Sequence, residues 1–139
     1  MRVLVDTNVL IDYTKGVVGL FLDLKKDIES SKAEAVICPV NVAEFLNDKY
    51  LLDNPKKLAE ARRFLRLFGV VDIDSGVGEE AGRLLRFGVV GYLGDALIAA
   101  TCLHYDLVLL TRNKKHFEKV KGLKFYTVGS GQTLRRSLS

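Results

Sequence analysis

The chain has 139 residues, 48% hydrophobic and 27% charged, with a formal net charge of +4; that balance suits one globular domain with a real core and leaves little room for two. No run of about 18 uncharged apolar residues occurs, and the N-terminus enters a charged strand without the apolar stretch and small-residue cleavage site of a signal peptide. A membrane span and a secretory leader are therefore not expected, and the sequence reads as a soluble, cytoplasmic protein.

In chain order, RVLVD (2–6) reads as a strand, VGLFLDLKKDIES (18–30) as an amphipathic helix, AVICPV (35–40) as a second strand and NVAEFLNDKYLL (41–52) as a helix. Asn54-Pro55 supplies a cap and first-turn proline for KKLAEARRFLRLF (56–68), which sets Leu58, Ala61, Leu65 and Phe68 on one stripe. VVDID (70–74) reads as the third strand, and Ser75 opens a helix through Glu79, Glu80 and Leu84. Past the glycine-spaced FGVVGYLG come the helix DALIAATCLHY (95–105), the strand LVLLT (107–111), a short helix NKKHFEKV (113–120) and a last strand LKFYTV (123–128). Short apolar strands separated by helices imply an α/β fold: a three-layer α/β/α domain with a mainly parallel five-stranded sheet covered on both faces. We expect it to span 1–129, with 130–139, basic through Arg135 and Arg136, as a flexible C-terminal tail.

Three acids stand at the mouths of apolar segments. Asp6 ends the first strand, Glu44 sits among Val42, Ala43, Phe45 and Leu46, and Asp95 heads a long apolar helix. In a parallel sheet, chemistry gathers beyond the carboxyl ends of the strands. Asp6 and Thr111-Arg112-Asn113 fall there, whereas the sequence does not say which end Asp95 faces. Each acid also has a local explanation. Asp6 can form a turn, Glu44 can close a capping box opened by Asn41, and Asp95 can complement a helix dipole. If the three share a rim, their repulsion raises their pKa values and calls for a cation. Oxygen-only ligands point to Mg²⁺ or Mn²⁺. Zinc is disfavoured, because there are only two histidines, His104 and His116, and the two cysteines, Cys38 and Cys102, lie far apart in apolar segments as reduced core thiols would.

The basic residues cluster as Lys56, Lys57, Arg62, Arg63 and Arg66, and again as Arg112, Lys114, Lys115, Lys119 and Lys121. Each cluster alone reads as a solvated face, yet such patches also meet phosphates. Gly76-Val-Gly78-Glu-Glu-Ala81 imitates a dinucleotide fingerprint, but Glu79 and Glu80 would stand where a pyrophosphate needs bare N–H donors. A dehalogenase-type phosphatase would need an acid two positions after Asp6, where Asn8 stands.

DTNVLID at the start, Glu44 in the VAEF segment and GDALIAATCLHYDLVLLTRNKKHF near the end, in this order and at this length, resemble the PIN-domain family, specifically its small VapC-type members. The resemblance implies a five-stranded parallel sheet, Mg²⁺- or Mn²⁺-dependent cleavage of RNA by metal-activated water, and a homodimer neutralised by a small antitoxin protein. It maps Asp6, Glu44 and Asp95 onto the acidic metal-binding residues, with Asn113 completing the catalytic set where the family often has a fourth acid. An amide brings no charge, so one firm metal site is expected and a second would be weaker. Thr7, Asn8 and Thr111 are similar to the family's supporting polar groups, and Arg112, Lys114 and Lys115 would hold flanking phosphates. His116 reads as a packed or solvent-edge residue. The alternative is a non-catalytic RNA- or partner-binding domain of the same fold.

Overall fold

Every residue of the first strand beyond Arg2 is apolar and buried, which is the pattern of a strand covered on both faces. In the computed structural model, which describes residues 1–127, this strand, β1 (Arg2–Val5), is the centre of the sheet. The expected tail at 130–139 and the domain end at 128–129 lie outside the described residues. The elements follow in the order β1, α1 (Thr7–Thr14), α2 (Gly19–Glu29), β2 (Glu34–Ile37), α3 (Pro39–Leu46), α4 (Pro55–Leu65), β3 (Gly69–Val70), α5 (Ser75–Arg86), α6 (Leu93–Tyr105), β4 (Val108–Leu110) and β5 (Lys124–Phe125). Short 3₁₀ turns cover Lys49–Leu51 and Lys114–His116. The five strands are all parallel, ordered β3-β2-β1-β4-β5.

Alternation along the strands divides the core in two. Leu4, Val36 and Leu109 point to the face covered by α5 and α6, where they meet Val77, Ala81, Leu84, Ile98 and Phe117. Val3, Val5, Ile37, Val108 and Leu110 point to the other face and meet Val9, Leu10, Phe21, Leu24, Leu65 and Phe68. No described helix is long and apolar enough to cross a membrane.

Four local expectations change. Residues 7–14 form a helix, α1, that propensity conceals: Thr7, Asn8, Val9 and Ile11 are weak helix formers. Burial of Val9 and Leu10 and the cap from Asp6 outweigh that weakness. The helix expected from 41 begins earlier, at Pro39, and ends at Leu46. Proline favours the first helical position, so Cys38 is the cap and Asn41 lies inside the first turn. The strands expected at 70–74 and 123–128 shrink to Gly69–Val70 and Lys124–Phe125, each an edge strand with one neighbour. The helix expected over 113–120 is only the 3₁₀ turn. Asn54 caps α4 as expected, its Oδ1 accepting from the Lys57 N–H at 3.1 Å. The glycine-rich 76–81 stretch lies within α5, whose N-terminus is filled by the Asp74 carboxylate accepting from the Val77 N–H at 2.9 Å. No phosphate cradle is left there.

Because Leu109 has no exposed surface and sits between β1 and β5, Leu109→Ala is expected to lower the unfolding free energy by about 2–5 kcal/mol. Leu67 is 78% exposed, and Leu67→Ala should shift it by less than about 0.5 kcal/mol. Urea denaturation of both variants checks the contrast; equal losses would contradict this placement of the core.

Candidate active site

The order 3-2-1-4-5 reverses direction at β1, because the chain winds out to β2 on one side and to β4 on the other. A crevice opens at such a switch point beyond the carboxyl ends of the two strands. Asp6 occupies it. Its backbone N–H continues the ladder to the Leu110 carbonyl at 2.9 Å, and its side chain, in a residue 4% exposed, caps α1. Oδ1 accepts from the Thr7 N–H at 2.8 Å, and Oδ2 accepts from the Thr111 hydroxyl at 2.7 Å. Thr111 is steadied in turn by the Asn113 N–H, which donates to its Oγ1 at 3.0 Å.

Burial drives the Asp6 pKa above its ordinary value, opposed by the hydrogen bonds from Thr111 and Thr7 and reinforced by the negative charges of Asp95 and Glu44. The charges of both other expected acids therefore reach Asp6. Asp95 lies in the first turn of α6, a helix that leads back into β4 and so begins at the rim where β1 ends. Topology supplies the orientation that local sequence could not. Glu44, on α3, leans on the same turn: a Cβ added at Gly94 would stand 3.1 Å from Glu44 Oε2.

Glu44 does not close a capping box with Asn41. The box joins Cys38 and Asn41 instead, with the Cys38 N–H donating to Asn41 Oδ1 at 2.8 Å. Glu44 is released to face the site, where its Oε1 accepts from the Thr7 hydroxyl at 2.7 Å. Asn41 Nδ2 donates to that hydroxyl's oxygen at 3.1 Å. Asn41 was legible only as a cap; the proline two positions before it was the signal that it lies deeper. Gly94 and Asp12 lie within GDALIAAT and DTNVLID without being candidates themselves.

The remaining candidates separate. Asn8 is half-buried and makes no hydrogen bond through its side chain among the described residues. Asn113 is half-buried beside Thr111 through its backbone. Arg112 reaches across to Asp12, Nη1 to Oδ2 at 2.7 Å. Lys114 sits over the Phe125 ring, 5.9 Å from its centroid, while Lys115 is exposed. His116, expected as a bystander, has Nδ1 3.1 Å from Asp95 Oδ2 and its ring 5.9 Å from that of Tyr92. Cys38 and Cys102 are buried free thiols, as expected; burial raises both pKa values and keeps them unreactive.

No group of three or more His, Cys, Asp or Glu side chains among the described residues is close enough to grip one ion. The three acids thus share a rim and a field without forming a closed cage. As a donor set they are all oxygen, which suits a hard divalent cation.

A PIN-domain sequence profile matches residues 3–123. Ribonuclease VapC1 of Methanocaldococcus jannaschii is 32% identical over 131 residues, covering 90% of this chain and 87% of that protein. Among solved structures, a toxin-antitoxin complex from Klebsiella pneumoniae superposes with a TM-score of 0.67 at 26% identity, covering 87% of this chain and 94% of that one. DNA-bound VapBC from Salmonella typhimurium gives a TM-score of 0.70 at 22% identity over 90% of this chain and 96% of its own. Kinship that extends over nearly the whole length, in sequence and in fold alike, leaves one conclusion: the chain belongs to the PIN-domain family.

Proposed function

We propose that this chain is a divalent-metal-dependent endoribonuclease, a hydrolase of RNA phosphodiester bonds that serves as the toxin of a toxin-antitoxin pair. The observation that carries this reading is Asp6, a carboxylate buried at the switch point, hydrogen-bonded on both oxygens and raised in pKa by burial and by Asp95 and Glu44. A carboxylate so placed asks for positive charge, and no lysine or arginine is among the groups that shift it. Asp6, Glu44 and Asp95 would hold Mg²⁺ or Mn²⁺. Such ions keep several waters and take one or two carboxylates together with substrate phosphates, so an open rim serves them better than a finished cage. Bound there, the ion supplies neutralising charge, polarises a phosphoryl oxygen and lowers the pKa of a water.

The chain's own groups do the positioning. Thr7 and Thr111 hold the Asp6 oxygens in place, Thr7 also holds Glu44, and His116 holds Asp95. Asn113, held to Thr111 through its backbone N–H, would offer an amide oxygen. Arg112, Lys114 and Lys115 flank the rim and draw the phosphates on either side of the scissile bond. Hydrolysis joins a water oxygen to phosphorus and breaks the bond to the ribose oxygen, which leaves with a proton. The similarity to a ribonuclease and to a toxin-antitoxin complex supports the reaction and a small antitoxin partner. The proposal extends to a homodimer in the cytoplasm. A second reading, a non-catalytic RNA binder, is favoured by one residue, Asn113 in place of an acid. A binder would hold RNA equally well in chelator and in Mg²⁺ and would never cut it.

Asp6→Asn and Asp95→Asn are each expected to slow cleavage of a single-stranded RNA oligonucleotide in Mg²⁺ by at least about a hundredfold, with the circular dichroism spectrum unchanged. Cleavage at the parent rate by either variant would sink the assignment.

The Asp6 pKa also predicts a pH signature of stability. Its folded value is raised above the ordinary 3.8, so the stability that Asp6 contributes is full below the unfolded pKa and is lost as pH rises through the folded one. In chelator, Asp6→Asn escapes that loss. Its unfolding free energy should gain on the parent's as pH rises above about 4 and stay parallel to it below that. Denaturation curves at stepped pH check this; a parent that gains on the variant over that range would contradict it.

A further inference from the structure

Asn41 is completely buried, and a buried amide is tolerated only when both its ends are hydrogen-bonded. Here they are. Oδ1 accepts from the Cys38 N–H at 2.8 Å, and Nδ2 donates to Thr7 Oγ1 at 3.1 Å. The amide has only one sensible orientation, because reversing it would set an NH₂ group against the Cys38 N–H, donor facing donor. That orientation fixes the next link. With its oxygen accepting from Asn41, the Thr7 hydroxyl directs its single proton to Glu44 Oε1 at 2.7 Å, while the Thr7 backbone N–H is directed to Asp6 Oδ1 at 2.8 Å. The chain of donors therefore runs one way only, from the start of α3 through Asn41 and Thr7 to Glu44. Glu44 is otherwise an exposed residue.

We propose that Asn41 is a positioning residue, which aims the Thr7 hydroxyl at Glu44 and so fixes that carboxylate on the same rim as Asp6 and Asp95. The inference rests on the nuclease reading and adds a residue that makes no contact with substrate. The competing role is purely structural, with Asn41 serving only to satisfy the Cys38 N–H at the start of α3. The two roles differ in what passes through Thr7.

The test measures Mn²⁺ affinity by electron paramagnetic resonance, kcat and KM on a single-stranded RNA oligonucleotide, and the unfolding midpoint in chelator. The proteins are the parent, Asn41→Leu, Thr7→Val and the double variant. Asn41→Leu is expected to weaken Mn²⁺ binding and lower kcat by about 10–100-fold each, with KM for RNA within about threefold. Thr7→Val should match it, and the double variant should be no worse than Thr7→Val alone, since both break one chain. If Asn41→Leu does not fold, Asn41→Ser replaces it; the shorter hydroxyl can accept from the Cys38 N–H but is too short to bridge on to Thr7 as the amide does, so the same losses are expected. Mn²⁺ affinity and kcat within about twofold of the parent in either Asn41 variant, or losses that multiply in the double variant, overturn the inference while leaving the nuclease reading intact. A parent that neither binds Mn²⁺ nor cuts RNA removes both.

Discussion

A carboxylate buried at the end of the central strand is the constraint to which the rest of the structure answers. Asp6 closes β1, caps α1 and takes the Thr111 hydroxyl from the end of β4. One side chain thereby ties together the three elements that meet at the reversal of the sheet. Burying a carboxylate is costly unless its lone pairs are occupied and its charge compensated. The chain meets the first condition with Thr7 and Thr111 and leaves the second to something from outside. Hydrogen bonds lower the pKa of Asp6 while burial and two neighbouring carboxylates raise it, and the net direction is upward. The site is therefore organised in geometry and left short of positive charge.

That shortage is local. The chain as a whole is basic, at +4, yet no lysine or arginine is among the groups that shift Asp6. Arg112 follows directly on Thr111 yet turns away to Asp12, with its side chain 52% exposed. A pair so exposed is weak and readily exchanged for a phosphate. Negative charge inside and positive charge at the edge is an arrangement that attracts a polyanion by its flanks and a cation to its centre. Neutral hydroxyls and amides fill the space between. The side chains of Thr7, Asn41 and Thr111 connect the acids to the backbone N–H groups of Cys38 and Asn113 without adding charge of either sign.

Much of this was readable from the residues, and the remainder fails for physical reasons. The α/β architecture followed from apolar runs too short to be helices, such as RVLV and VLL, each buried on two faces. The acids at 6, 44 and 95 drew attention because they interrupt apolar segments. Helix α1 was hidden because β-branched residues propagate helices poorly, and only the tertiary burial of Val9 and Leu10 makes the helix worthwhile. The role of Asn41 was misread because a cap and a third helical residue are the same side chain seen three positions apart. Pro39 decides between them. The orientation of Asp95 depends on the course of the sheet, and the Arg112–Asp12 pair joins residues 100 apart in sequence; no local pattern encodes either. The edge strands are short because only one neighbour fixes their length.

On the reading proposed above, Asp6 holds one divalent cation together with Glu44 or Asp95. A crystal soaked in Mn²⁺ and measured for anomalous scattering tests it most directly. A single strong peak is expected at the carboxyl ends of β1 and β4, bound by Asp6 and by at least one of the other two acids. A saturating soak whose Mn²⁺ peaks all lie elsewhere, with none at Asp6, would contradict it.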